Sequence, residues 1–216
     1  MYLYTRPLSW HRSTTERERW SQLCGLDDDT PKRAGTLVLY VRPPDSTDKK
    51  LKLTWSFDTS EGRGEYDKAL HKHLAAEKIV PDKGTAYEPM TSSADIAMLA
   101  RDTFENLVLI VHSAANAPAI GVDISGRGDW LKDGAIGKVL APLAYAKVTI
   151  LGCDAVENKF APSLATHLPK GSTVVGHEGG DFVIKSHFEK SKKVRGRAIL
   201  TSVSSNFKLK SFKGTK

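Results

Sequence analysis

Four short apolar runs with no polar alternation constrain the fold of this chain more than any other feature. They are Thr36-Leu37-Val38-Leu39-Tyr40-Val41, Leu107-Val108-Leu109-Ile110-Val111, Val148-Thr149-Ile150-Leu151 and Ser172-Thr173-Val174-Val175. A strand with one wet face alternates polar and apolar residues, whereas one that is apolar at successive positions has both faces covered, as in a parallel sheet. Helical patterns separate the runs. Residues 65–80 carry Tyr66, Ala69, Leu70, Leu74 and Ala75 at helical spacing; Ser92 or Ser93 can cap a second helix through residues 98–104; residues 135–144 and 160–168 repeat the pattern. Buried strands alternating with amphipathic helices predict an α/β fold, a mostly parallel central sheet with helices on both faces. Residues 51–57 alternate and predict a more exposed strand. The Gly- and Asp-rich residues 121–133 predict a hairpin or loop, and residues 182–184 and 198–203 late strands or a hairpin at one sheet edge.

With 216 residues and 40% hydrophobic content, the chain can bury one sizeable core. The expected division is a polar N-terminal arm over residues 1–35, with a short helix near 15–23, followed by one domain over 36–216. No apolar run approaches the roughly 20 residues that span a bilayer, and residues 1–20 lack an apolar signal core, so a soluble cytoplasmic protein without a membrane partner is expected. The net charge of +7 comes largely from the last third, including Lys190, Lys192, Lys193, Arg195, Arg197, Lys208, Lys210, Lys213 and Lys216. No aromatic interleaving or nucleic-acid motif accompanies those charges, so they read as a solvated face and a frayed tail. Trp10, Trp20, Trp55 and Trp130 read as packing or interface residues. The two cysteines, Cys24 and Cys153, support neither a disulfide framework nor a Cys-rich zinc site, and no glycine-rich nucleotide-binding motif is present. His71 and His73 are two apart on one helix and fall on different faces.

Parallel α/β sheets gather functional groups just past the carboxyl ends of their strands. His112 directly follows the second run and Cys153 follows the third after Gly152. If those strands are neighbours, an imidazole and a thiol meet. A free thiol, with pKa near ~8.5, is only partly ionised at neutral pH, and an adjacent imidazole can take its proton and later deliver one to a leaving amine. The tight exit through Gly152 can aim the backbone N–H of Cys153 at an oxyanion, and the Ser113 N–H is a second donor of that kind. Taken singly, Cys153 could equally be a small buried hydrophobe and His112 a hydrogen-bonded structural histidine; it is their placement at two strand ends that favours a reactive pair.

With these residues the chain resembles the caspase-like superfamily of cysteine peptidases, in which a strand ends in His and a small residue, here His112-Ser113, and a later strand ends in the nucleophile, here Gly152-Cys153-Asp154. His112 lies 41 residues before Cys153, against about 50 in caspases. Residues 119–123 resemble the family's small hairpin and residues 171–176 the strand that follows the Cys helix. The resemblance implies a three-layer caspase-like sandwich, His112 and Cys153 as catalytic dyad, oxyanion donors from the backbone of Ser113 and Cys153, no cofactor or metal, and a protein or peptide substrate with an activating partner or ligand. The family usually has His-Gly where this chain has His112-Ser113. Leu151 stands where relatives often carry a polar residue that selects the side chain before the scissile bond. Arg42, Asp154, Glu178 and Asp181 are the candidates for that pocket. Residues 58–64 and 181–197 read as nicking or gating loops. The other reading is a catalytically silent caspase-like or basic interaction module.

Overall fold

In a computed structural model that describes residues 33–49, 53–114, 117–122, 129–179, 184–189, 197–203 and 208–216, the four apolar runs are strands of one sheet. In chain order the elements are β1 (Thr36–Val41), β2 (Ser46–Asp48), β3 (Leu53–Trp55), α1 (Ser60–Ala76), β4 (Thr85–Met90), α2 (Ala94–Leu99), β5 (Asn106–Ile110), β6 (His112–Ser113), β7 (Ala119–Gly121), β8 (Trp130–Lys132), α3 (Asp133–Leu140), β9 (Lys147–Leu151), α4 (Phe160–His167), β10 (Thr173–His177), β11 (Ile184–Glu189), β12 (Arg197–Val203) and β13 (Leu209–Lys213). The central sheet has six strands in the order β13-β10-β9-β5-β1-β4, all parallel except β13.

Successive residues of each inner strand serve opposite faces, which is why their sequences do not alternate. Val38, Tyr40, Val108, Ile110 and Leu151 pack with Tyr66, Leu70 and Leu74 of α1 and with Trp55 and Phe57. Leu37, Leu39, Leu107, Leu109, Val148, Ile150 and Val174 pack on the opposite face with Ile96 of α2, Ile136 and Leu140 of α3, and Phe160 and Leu164 of α4. Each such aliphatic side chain contributes about 1.5–3 kcal/mol on burial. The α1 face also holds a polar anchor: the buried Tyr40 hydroxyl donates to Asp67 at 2.6 Å, and burial pushes the Tyr40 pKa upward, helped by that same bond.

From β1 the chain runs through α1 on one face to β4, then crosses back to β5 on the other side of β1 and continues through α3 and α4, on the opposite face, to β9 and β10. The sheet therefore grows away from β1 in both directions. Connections that leave on opposite faces open a crevice at the carboxyl ends of β1 and β5.

Several local expectations are corrected. The first covering helix begins at Ser60 rather than near residue 65, because Thr59 accepts the Gly62 N–H at 3.0 Å and caps it; residues 60–64, expected in an exposed nicking loop, are its first turn. The second helix ends at Leu99; Ser93 stands at its N-cap without a side-chain cap bond, and the start is fastened by Asp95, which accepts from the backbone N–H groups of Thr91 and Ser92. The basic tail is not frayed: β13 pairs antiparallel with β10 and closes one sheet edge, with Phe212 opposite Val174. The late hairpin, β11 with β12, is a separate two-stranded sheet rather than an edge of the central one, and it places residues 184–189 of the second expected loop in a strand. β4, not expected, forms the opposite edge, where Pro89 is tolerated because an edge strand leaves backbone donors unpaired. Residues 33–216 form one compact unit, which starts three residues before the expected 36; the arm helix and Cys24 lie outside the described residues.

Candidate active site

β5 and β9 are hydrogen-bonded neighbours in parallel register from Asn106 opposite Lys147 to Ile110 opposite Leu151. The pairing runs one step further, since the Val111 N–H donates to the Leu151 carbonyl at 3.0 Å. His112 and Cys153 each stand two residues past the last pair of this ladder, at neighbouring strand exits. Cys153 packs against the α1-side cluster that contains Ile110 and Leu151, while Val111 belongs to the opposite cluster. His112 is exposed and Cys153 half-buried.

The two strand exits touch at Gly152 and are tied together by Asn158. Gly152 is flush against the neighbouring exit: a Cβ there would stand 2.7 Å from both the Val111 carbonyl oxygen and Ser113 Oγ. After Cys153 the chain turns sharply through Asp154, which has a left-handed φ of 51°. The buried Asn158 then braces the turn, donating from Nδ2 to the Ala114 carbonyl at 3.0 Å and accepting the Phe160 N–H at 2.9 Å. One side chain thus ties the loop after Cys153 to the segment after His112. Asn158 is not among the residues singled out from the sequence; an Asn just before an apolar helical stretch, able to take up a free N–H of its first turn, is the signal that marks it.

The small sheet β6-β7-β8 continues from β5. Ala114 N–H donates to the Ala119 carbonyl at 3.0 Å, and antiparallel pairs bond at alternate residues. The Ser113 N–H is therefore directed away from β7, toward the side of Gly152 and Cys153, where an oxyanion donor is needed. Ser113 Oγ is buried and has no hydrogen-bond partner among the described residues. One face of this sheet carries Ser113, Ile120 and Leu131, with Ile120 and Leu131 in the core; the other carries His112, Gly121 and Trp130 in a cross-strand row. The indole ring of Trp130 covers Gly121, three of its carbons lying 3.1–3.2 Å from where a Cβ would be.

The pocket candidates are placed differently from one another. Arg42, at the exit of β1, bonds Asp58 at 2.8 Å and Asp45 at 3.4 Å and lies 5.5 Å from the Phe57 ring centre. Its charge is thus shared by two carboxylates. Asp154 forms the turn after Cys153. Glu178 continues β10, its N–H donating to the Lys208 carbonyl at 2.7 Å and its carboxylate 3.9 Å from Lys210. Asp181 lies outside the described residues. His177, which the sequence did not single out for chemistry, is buried at the carboxyl end of β10, next to β9.

A second cluster holds Ser, His and Asp in the wrong order for a nucleophile relay. The Ser163 hydroxyl donates to Asp133 Oδ2, and His167 Nε2 lies 3.3 Å from the same oxygen; a relay needs His between the other two. The trio fastens α4 to the start of α3. Burial alone would raise the Asp133 pKa, but bonds from Ser163, the Gly134 N–H and His167 hold it below the usual carboxylate range. A lowered folded pKa gives stability that is full above the unfolded value near ~3.9 and is lost as pH falls through the folded value. Asp133→Asn should cost about 1 kcal/mol in denaturant melts at neutral pH, discounted for the partly exposed His167, and the gap from wild type should shrink below about pH 4. An equal gap at both pH values removes the charge from the explanation.

Among the described residues no group of three or more His, Cys, Asp or Glu is arranged to hold a metal ion, and no helix is long and apolar enough to cross a membrane. No protein-family model matches the chain, and no curated protein sequence matches it significantly.

Proposed function

We propose that the chain is a cysteine peptidase built as a caspase-like three-layer sandwich, in which Cys153 is the nucleophile and His112 its general base and acid. The observation that supports this most is the parallel β5–β9 register, which runs to Ile110 and Leu151, two residues before His112 and Cys153 on the neighbouring exits.

In this mechanism His112 takes the thiol proton and Cys153 Sγ attacks a peptide carbonyl carbon. The C–S bond forms as the carbonyl π electrons move onto oxygen, where the N–H groups of Ser113 and Cys153 donate to it. When the carbonyl re-forms, the C–N bond breaks and the imidazolium gives its proton to the departing amine. Water, deprotonated by His112, then attacks the thioester; the C–S bond breaks, the acid product leaves, and the proton returns to sulfur. The dyad itself needs no metal or cofactor. The substrate is a protein or peptide, and an activating partner or ligand belongs to the same reading. Arg42, Asp154, Glu178 and Asp181 remain the candidates for selecting the residue before the scissile bond; the three carboxylates suit a basic residue, and Arg42, the cation of the four, suits an acidic one with a charge already shared by two carboxylates.

Thiol reactivity tests the pairing without knowledge of the substrate. Under native conditions iodoacetamide should label Cys153 at least about tenfold faster than Cys24, measured peptide by peptide by mass spectrometry, and His112→Ala should erase that advantage. Equal rates in the wild type, or an advantage that survives His112→Ala, would remove the dyad.

A further inference from the structure

We infer that Trp130 forms the subsite for the residue just after the scissile bond, and that this subsite takes a large apolar side chain, aromatic above all. The inference rests on Cys153 and His112 acting as the dyad.

Across the carboxyl end of the sheet the order is Cys153, His112, Gly121, Trp130: β9 beside β5, β5 continuing into β6, and β6 paired through β7 to β8. Chemistry fixes which half of a substrate lies where. The carbonyl under attack sits over Cys153, and the nitrogen that leaves must be within reach of the imidazole that protonates it. The chain beyond that nitrogen therefore departs on the far side of His112, along the row that ends at Trp130.

The row is shaped to receive a side chain. Directly paired residues of an antiparallel sheet share a face, and this face is the outer one, since Ile120 and Leu131 between them point into the core. Trp130 stays 39% exposed, so it presents apolar surface to solvent beside a polar imidazole. Gly121 makes this possible. Any side chain there would meet the six-membered ring at 3.1–3.2 Å and lift it from the sheet. The result is a flat aromatic surface separated from His112 in the row by Gly121, suited to stacking or edge contact with another ring.

The test needs no turnover. N-benzyl iodoacetamide carries its aromatic group on an amide nitrogen near the place of the leaving nitrogen. Its labelling rate at Cys153, divided by that of iodoacetamide, is compared with the same ratio for glutathione. In the wild type the ratio should exceed the glutathione value about fivefold. Trp130→Ala should return it to the glutathione value and Trp130→Phe should keep most of it, because a ring that merely supported the fold would not discriminate between two reagents at one thiol. A wild-type ratio equal to that of glutathione, or one that survives Trp130→Ala, overturns the inference. Failure of the dyad is distinct, because it appears with iodoacetamide alone as the loss of the Cys153 advantage over Cys24.

Discussion

Cleavage of a broad fluorogenic peptide library should vanish in Cys153→Ala and in His112→Ala, each with a loss of at least about 10⁴-fold in kcat. The expected loss is large because every step of the proposed mechanism runs through one side chain or the other. Ser113 has its Oγ buried against Gly152, and Asp154 is the turn that leads away. Both dyad residues have solvent-facing surface, so neither variant should shift stability by more than about 1 kcal/mol, and thermal melts separate lost chemistry from lost fold. Activity that survives Cys153→Ala would overturn the assignment. If wild type and both variants are all inactive while Cys153 keeps its labelling advantage, the dyad is formed and the enzyme waits for an activator. If the labelling advantage is also absent, the domain is a silent module.

The strands that the sequence revealed most plainly are the inner ones of the central sheet. β1, β5, β9 and β10 interrupt the charged surface pattern with short apolar runs, a signal contained within four to six residues. The edge strands carry no such signal. In β4, the sequence Thr-Ala-Tyr-Glu-Pro-Met is only half-buried until Met90, and β13 is lysine-rich except at Leu209 and Phe212. Charge and proline at an edge protect unpaired backbone groups from further pairing, and the same residues disguise a strand as a tail or loop. The start of α1 was hidden for a related reason: Gly62 and Gly64 look like loop residues, but Gly62 packs where a Cβ would stand 2.1 Å from the Ser56 carbonyl oxygen. A close approach that excludes side chains reads in sequence as flexibility.

At the site, the expectation that His112 and Cys153 meet rested on two recognisable strands being neighbours, and β5 and β9 are neighbours. The groups around the two residues depend on registers between short segments. Nothing in Gly121 or Trp130 alone shows that they share a row with His112. Asn158 reaches Ala114 across 44 positions, and Asp133 meets His167 across 34. Such distances are set by how α3 and α4 cross the sheet, which composition and periodicity do not specify.

Gly152→Ala should be the most damaging single-methyl change at this site. The added Cβ would stand 2.7 Å from Ser113 Oγ and 2.7 Å from the Val111 carbonyl oxygen. The hydroxyl can rotate aside, but the carbonyl is backbone, so relief requires the β5 and β9 exits to separate. That separation strains the 3.0 Å bond from Val111 N–H to the Leu151 carbonyl, the last link before the dyad, and overpacking of this kind costs about 1–3 kcal/mol. The functional loss should exceed what stability alone explains, since a shift near ~1 Å between nucleophile and base can cost about 10²-fold. The Cys153 labelling advantage should therefore fall well below wild type at temperatures where Gly152→Ala is still folded by circular dichroism. Adding Ser113→Gly removes one of the two collisions and leaves the other, so the double variant should recover part of the melting temperature and little of the reactivity. Full recovery of both would put the constraint in the serine hydroxyl instead of the backbone. A Gly152→Ala protein with wild-type melting and labelling would mean that the exits are not in contact, and with that the proximity of His112 to Cys153 would fail.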